Sequence, residues 1–330
     1  MSGRPLSVII PSFNGDALLR RHLPGVVAQA RALSTGAEVV VVDDGSDAAG
    51  DGTADVVRSV GAPARVLRLA ANCGFAAACN AGAAVATGEM LFFLNNDIEL
   101  APGCLAVLTQ VLEENPSLFG VTPVLVNAEG GFAESGICLR FVHGVFDVRF
   151  PGREGVAPAG AGELRPVASG CGGALACRRD AFAALGGFTE LFAPFYWEDI
   201  DLGWRARRAG MALVEVGDAL ASHEHARTIG ARHEKSQIRT MYERNRLLFT
   251  WRHLAGARAW LAHLAWLPLR LVGGLVRGTP TAQALPAALA RLGSVVRLRR
   301  RDRPTTAQAR ALLRQVHRCG GAGWPGPEKK

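Results

Sequence analysis

The chain has 330 residues, 49% of them hydrophobic and 20% charged, a balance that excludes a disordered or collagen-like polymer and allows a large core. Its net charge of +8 is unevenly placed: from Arg244 onward 17 lysines and arginines stand against two acids, so the body before that point is net acidic. Seven cysteines without a C-x-x-C pair argue for buried, reduced thiols in a cytoplasmic setting rather than a disulfide framework or a zinc site.

Met1–Pro5 runs directly into Leu6–Ile10, an apolar run ending at Pro11-Ser12-Phe13-Asn14-Gly15, which reads as a strand and a turn with no leader before it. Asp16–Ser34 carries apolar residues at helical spacing, with Pro24 expected to kink or break the helix. Glu38–Val42 reads as a second buried strand, ending in Asp43-Asp44-Gly45-Ser46. Gly50–Thr53 then opens a short helix, with Thr53 as its expected N-cap. Val66–Leu69 is a third strand, ending at Asn72-Cys73-Gly74-Phe75. The Ala-rich stretch Ala76–Ala86 is a helix that Gly88 is expected to close as a C′ glycine. Met90–Leu94 is a fourth strand, stopping at Asn95-Asn96-Asp97.

Strand and helix alternate four times in the first hundred residues, which predicts an α/β fold with a parallel, doubly wound sheet. All four strands finish in polar or acidic residues, so their loops form a row along one sheet edge, where open α/β sheets bind ligands. Asp97 would be a carboxylate at the rim of that crevice, suited to a divalent cation carrying substrate phosphates. No G-x-G-x-x-G follows the first strand, which counts against a Rossmann dinucleotide site.

Further on, Cys104–Asn115 reads as a helix and Gly120–Val126 as a strand. Ala128–Gly170 is rich in Gly and Pro, with an alternating stretch at Phe141–Phe150 that suits a hairpin. Arg179–Leu185 is helical. Phe192–Asp201 sets aromatics beside acids, and Ile200–Ala209 is a helix. Ala212–Val216 is a strand followed by Ser222-His223-Glu224-His225, and Lys235–Trp251 is a helix. No window reaches the ~18–20 uninterrupted apolar residues of a membrane span. Leu261–Val276, broken by His263, Pro268 and Arg270, suits an interfacial helix or a helix packed on the domain. For the tail arginines the default expectation is a solvated basic face.

The motifs SVIIPSFNG (Ser7–Gly15), VVVVDDGS (Val39–Ser46), NCGFAAACNAG (Asn72–Gly82), FFLNNDIEL (Phe92–Leu100) and YWEDIDLGWRARRAG (Tyr196–Gly210), followed by a later histidine, occur in an informative order. Together they resemble a family 2 glycosyltransferase of the GT-A fold, a Rossmann-like, mostly parallel sheet flanked by helices, with bacterial rhamnosyltransferase-like enzymes of cell-surface glycan synthesis the nearest likeness. The resemblance covers Leu6 to Trp251. It implies a transferase domain over 1–251, divided into a nucleotide-sugar half (1–126) and an acceptor and catalytic half (127–251), followed by a basic helical extension (252–330).

By that resemblance Pro11, Ser12, Phe13, Asn14, Asp43, Asp44, Asn72, Gly74, Asn95 and Asn96 line a nucleotide-sugar pocket. Asn95-Asn96-Asp97 stands where the family has its D-x-D, so Asn95 replaces the first acid, and a neutral amide contributes a hydrogen bond without charge. Asp97 and His223 are the implied ligands of Mn²⁺ or Mg²⁺, with His225 close enough to compete. Asp199, paired with Glu198, is the implied catalytic base, and Tyr196, Trp197 and Arg205 are the implied acceptor contacts. The implied reaction moves a sugar, rhamnose from a dTDP carrier on this likeness, to a glycan or lipid-linked acceptor with inversion. A base that takes the acceptor's proton and a cation that neutralises the departing diphosphate fit these residue types.

The basic, Trp-bearing tail is expected to hold such an enzyme against an anionic inner membrane surface. Two other classes stay open. A nucleotidyltransferase needs a basic phosphate loop after the first strand, and Pro11–Gly15 has none. A non-catalytic sugar- or nucleotide-binding protein would leave Asp97, Asp199 and His223 without a task. Nucleic acid is not an expected partner.

Overall fold

The computed structural model describes residues 5–47, 52–127, 136–150, 157–223, 234–277 and 280–302, together with Gly131, Thr305 and Ala307. Gly50, Asp51, Glu224, His225 and the chain beyond residue 307 lie outside the described residues.

The first half alternates as its apolar runs predict: β1 (Leu6–Ser12), α1 (Asp16–Ala32), β2 (Ala37–Asp43), α2 (Thr53–Val60), β3 (Ala64–Arg68), α3 (Phe75–Val85) and β4 (Met90–Leu94). Then come β5 (Ile98–Leu100), α4 (Cys104–Glu114), β6 (Leu118–Val126) and the hairpin β7 (Cys138–Val142) to β8 (Val145–Arg149). The chain continues through β9 (Leu164–Pro166), β10 (Ala174–Arg178), α5 (Arg179–Ala184), α6 (Glu198–Arg208) and β11 (Ala212–His223). It ends in α7 (Lys235–His253), α8 (Ala257–Arg277), α9 (Thr281–Leu289) and α10 (Leu292–Asp302).

The main sheet runs β3-β2-β1-β4-β10-β6-β11-β5, with β9 pairing the side of β11. Its β3-β2-β1-β4 part is parallel, with Val8 opposite both Val39 and Phe92. The sheet is mostly parallel, as expected, with β10 inserted antiparallel between β4 and β6, and with β5 and β9 also paired antiparallel. A strand buried on both faces reads as an apolar run in either direction, so direction is not written in the pattern.

Helices α1, α2 and α4 cover one face through Leu19, Leu23, Val56 and Leu108. The other face packs against α3, α5 and α6 through Cys79, Phe182 and Leu202. A further core, built on Trp197, Trp204, Phe146 and Phe249, joins the hairpin to α6, α7, α9 and α10.

Three local expectations are corrected. Helix α1 runs on through Pro24, which lies on its exposed face, where water can take the carbonyl that the missing N–H leaves free. Thr53 is the first helical residue of α2 and is buried, and Gly52 is the N-cap. Gly88 does not close α3, which ends at Val85. Its lack of a side chain lets the chain press on β1, since a Cβ there would sit 2.7 Å from the Ser7 nitrogen.

The solvated basic face is corrected for several arginines of the tail. Arg252 is fully buried, holding Asp201 at 2.7 Å and Asp302 at 2.8 Å. Arg299 donates to the carbonyls of Trp251, Arg252 and Leu254 at 2.6, 2.9 and 2.9 Å and so caps the end of α7. Arg291 donates to the Leu191 and Ala193 carbonyls. Among the described residues no helix is long and apolar enough to cross a membrane.

Candidate active site

The carboxyl ends of β1, β2 and β4 lie along one edge of the sheet, and because β10 is antiparallel, its leading Gly172-Gly173 joins them there. At the end of β1, Ser12 Oγ accepts from Asn96 Nδ2 at 3.1 Å, while the Asn14 amide donates to Ser46 Oγ at 2.8 Å. Gly15 is required by this contact, since a Cβ would stand 2.3 Å from Asn96 Nδ2. Pro11 and Phe13 are half-buried beside them.

Asp43 and Asp44 are both buried and both shape loops. Asp43 Oδ1 accepts the Ser46 N–H at 2.9 Å, with Arg68 3.4 Å from its other oxygen. Asp44 accepts the N–H groups of Cys73 and Gly74 at 2.8 and 2.9 Å, and so ties the end of β2 to the start of α3. Burial raises the Asp44 pKa in spite of these donors. Asn72 is exposed at the mouth of this loop, where Gly45 lies directly on its backbone.

At the end of β4, the Asn95 amide donates to the Gly173 carbonyl at 2.8 Å, and its side chain lies over Gly173, where a Cβ would be 2.4 Å away. Asp97 meets His223 through the short β5–β11 ladder, in which His223 is opposite Ile98. The two side chains are buried, with His223 Nε2 3.3 Å from Asp97 Oδ1. That oxygen is inaccessible to solvent and has no hydrogen-bond partner among the described residues, an arrangement that costs about 1–3 kcal/mol if left unsatisfied.

A divalent cation would resolve this orphan. Two ligands at right angles, each about 2.1 Å from one ion, are about 3 Å apart, close to the separation found. Among the described residues no cluster of three or more His, Cys, Asp or Glu side chains could complete a protein cage. The pair therefore fits an ion that keeps waters and substrate phosphates as its remaining ligands.

Asp199 and Glu198 open α6, next to Gly172. Asp199 Oδ2 accepts the Gly172 N–H at 3.1 Å. Glu198 is buried, and burial first, then the Asp199 charge, pushes its pKa up to about 8. Its proton is thus held in the folded state, which leaves Asp199 as the carboxylate of the pair able to accept one. The sign follows for stability: Glu198 has an ordinary value of 4.5, so its favourable contribution is complete below that pH and is lost as pH rises through about 8. Urea titrations should show wild type losing ground to Glu198→Gln across this window, and a constant difference between the two would contradict the buried, protonated Glu198.

The segment before α6 turns through two left-handed residues, Tyr196 (φ 70°) and Trp197 (φ 79°). Asn245, a residue the motifs did not single out, holds this turn by donating to the Phe192, Phe195 and Tyr196 carbonyls at 2.6, 2.9 and 2.9 Å. Tyr196 is half-buried beside the site. Two implied acceptor contacts need correction. The Trp197 ring is buried between Tyr242 and Phe249, at 5.5 and 5.0 Å, as part of the core. Arg205 is buried with its guanidinium committed to Asp201 at 2.7 Å and to the Leu185 and Gly187 carbonyls.

The model of the Glycosyl transferase family 2 matches residues 7–184. An N-acetylglucosaminyl-diphospho-decaprenol L-rhamnosyltransferase of Mycobacterium tuberculosis is 26% identical over 283 residues, covering 79% of this chain and 88% of its own. Among solved structures, S. aureus TarS 1-349 in complex with UDP-GlcNAc shares the fold at TM-score 0.56 and 18% identity, over 95% of this chain and 89% of its own. The mannosyltransferase PcManGT of Pyrobaculum calidifontis, in complex with GDP-Man and Mn²⁺, does so at TM-score 0.54 and 20% identity, over 96% and 87%. With more than half of the chain matched and the carboxylates gathered on one edge of a GT-A sheet, the chain belongs to glycosyl transferase family 2 and is a glycosyltransferase.

Proposed function

We propose that the enzyme transfers a sugar from a nucleotide-sugar donor to a hydroxyl of a glycan or lipid-linked acceptor, with inversion and with the help of a divalent cation. The observation that carries this reading is the buried Asp97–His223 pair with its orphaned oxygen on the same sheet edge as Asp199. The strand-end loops from Pro11 to Asn14, from Asp43 to Ser46 and from Asn72 to Gly74 form the donor pocket. Asn95 and Asn96 close its floor through Gly173 and Ser12.

Asp97 and His223 would hold Mn²⁺ or Mg²⁺, which when bound neutralises charge developing on the donor's diphosphate. Asp199 takes the proton of the attacking acceptor hydroxyl as its oxygen bonds the anomeric carbon. The Gly172 N–H fixes the orientation of that carboxylate, and the protonated Glu198 adds no second negative charge beside it. A single base acting opposite the leaving diphosphate gives inversion in one displacement. The relative named as a rhamnosyltransferase acting on a diphospho-decaprenol favours rhamnose as the sugar and a lipid-linked acceptor.

This division of labour assigns a nucleotide-sugar half to 1–126, an acceptor and catalytic half to 127–251 and a basic extension to 252–330, described as helices as far as Asp302. Electron paramagnetic resonance of Mn²⁺ in the presence of a nucleoside diphosphate tests the cation site without turnover. Wild type should bind the ion, and Asp97→Ala should weaken binding about tenfold or more. Equal binding by the two proteins would remove Asp97 from the site.

A further inference from the structure

A cavity of about 440 Å³ lies between the β7–β8 turn, α7, α8 and the start of α9, with His143, Glu243, Arg246, Trp266, Leu269 and Arg270 in its walls. Its walls are fixed. His263 Nδ1 donates to the Gly144 carbonyl, 2.7 Å away, and its Nε2 accepts from Trp251 Nε1 at 2.9 Å, while the His143 and Trp266 rings are 4.5 Å apart. Gly144 is pressed so close to α8 that a Cβ would stand 2.9 Å from the Ala262 oxygen.

The charges in this cavity are unequally spent. Glu243 accepts from Thr281 at 3.1 Å and pairs with Arg246, which also lies 3.4 Å from Asp147. Arg270 has no hydrogen bond or ion pair among the described residues, and its Nε is buried without a partner. Burial and the nearby Arg246 lower its pKa, against the Glu243 and Asp147 carboxylates, which act in the opposite sense.

Beside the cavity, α8 exposes Leu261, Leu264, Leu269, Val272 and Val276, at 66, 59, 60, 60 and 79%. These positions fall on one side of the helix at 100° per residue, and Leu269 belongs to both the stripe and the cavity wall. Helix α8 contains no acidic residue. On α7, Tyr242, the neighbour in sequence of the wall residue Glu243, packs its ring on Tyr196 and Trp197 at 6.0 and 5.5 Å.

We propose that Arg270 and this cavity hold the phosphate or diphosphate headgroup of an amphiphilic acceptor whose hydrocarbon chain lies along the exposed face of α8. The assignment rests on the transferase reading for its meaning, since it seats the acceptor's headgroup against α7, whose Tyr242 packs on the turn that precedes Asp199. A guanidinium with no direct ion-pair partner among the described residues, beside an exposed apolar stripe, matches an anionic head joined to an apolar tail, and matches neither half alone.

The full chain, in the presence of chelator, would be titrated with farnesyl diphosphate, farnesol and inorganic diphosphate as probes, beside Arg270→Gln, Arg270→Lys and Asp97→Asn. Farnesyl diphosphate should bind at least about tenfold more tightly than either half. Arg270→Gln should weaken it about tenfold or more, the loss of one charge-assisted contact, and Arg270→Lys should recover part of that. Asp97→Asn should leave it unchanged. The inference is overturned if inorganic diphosphate binds as well as the prenyl compound, if Arg270→Gln binds like wild type, or if Asp97→Asn loses the probe, which would put it in the donor pocket. A sugar-nucleotide titration of the same samples separates the two readings. Donor binding without probe binding overturns the headgroup site alone, whereas probe binding without donor binding overturns the transferase reading and leaves the site standing.

Discussion

Asp199→Asn is expected to lower sugar transfer by about 10²–10⁴-fold, the usual contribution of a general base, while leaving donor binding intact. The substitution keeps the shape of the side chain and one acceptor oxygen, which can serve either the Gly172 or the Ile200 N–H while the amide NH2 faces the other. What it removes is the ability to take the acceptor's proton. The loss should therefore fall on turnover, and burial, the larger cause of the raised Glu198 pKa, persists in the variant. Initial rates of transfer and donor titrations on the same preparations check this. A variant that retains more than about a tenth of wild-type turnover would take the base role away from Asp199.

The largest loss of stability is expected from Arg252→Ala, about 3–5 kcal/mol, as when one partner of a buried ion pair is removed. Arg252 is wholly buried and spends its guanidinium on Asp201, Asp302 and the Thr189 hydroxyl, the last at 2.9 Å. Asp201 is itself buried without exposure, with Arg205 and His253 on its other sides, and the Arg252 and Arg205 charges hold its carboxyl far below the usual range. Removing Arg252 leaves Asp201 under-compensated and frees Asp302 at the end of α10, so the helical extension should loosen together with α6. Urea denaturation measures the difference, and Arg252→Met, which fills the same space, serves if the alanine variant does not fold. A change below about 1 kcal/mol in both would show that the network is not what fastens the extension.

The sequence made the first half of the fold plain for a physical reason. Strands buried on both faces must be uninterrupted apolar runs, and Met90–Leu94 has the same bounds in both descriptions. Their polar ends marked the ligand edge, and alternation at Phe141–Phe150 signalled the β7–β8 hairpin. The insertion of β10 was hidden, because Ala174–Arg178 is short and follows a glycine-rich stretch with no period to read. So was the full length of β11: Gly217-Asp218 breaks its pattern, yet the strand continues to His223 and sets the ladder that brings His223 to Asp97.

Residues whose partners are distant in the chain were the least legible. Asp201 and Arg205 sit one helical turn apart and are readable as a pair, but nothing local connects them to Arg252 or Asp302. Trp197 and Arg205 illustrate the same limit from the other side. Motif position suggested an acceptor contact for each, and tertiary packing spends both on the core.

The central claim, a donor held by its diphosphate at the Asp97–His223 edge and attacked under Asp199, is most directly tested by turnover of a sugar-nucleotide panel. Release of nucleoside diphosphate would be followed with Mn²⁺ or Mg²⁺ and again after chelation, for wild type and Asp97→Ala. The account predicts that one donor is turned over, that chelator stops it and that Asp97→Ala abolishes it. Turnover that survives both chelation and the substitution, or a panel in which no donor is bound or consumed, would contradict it.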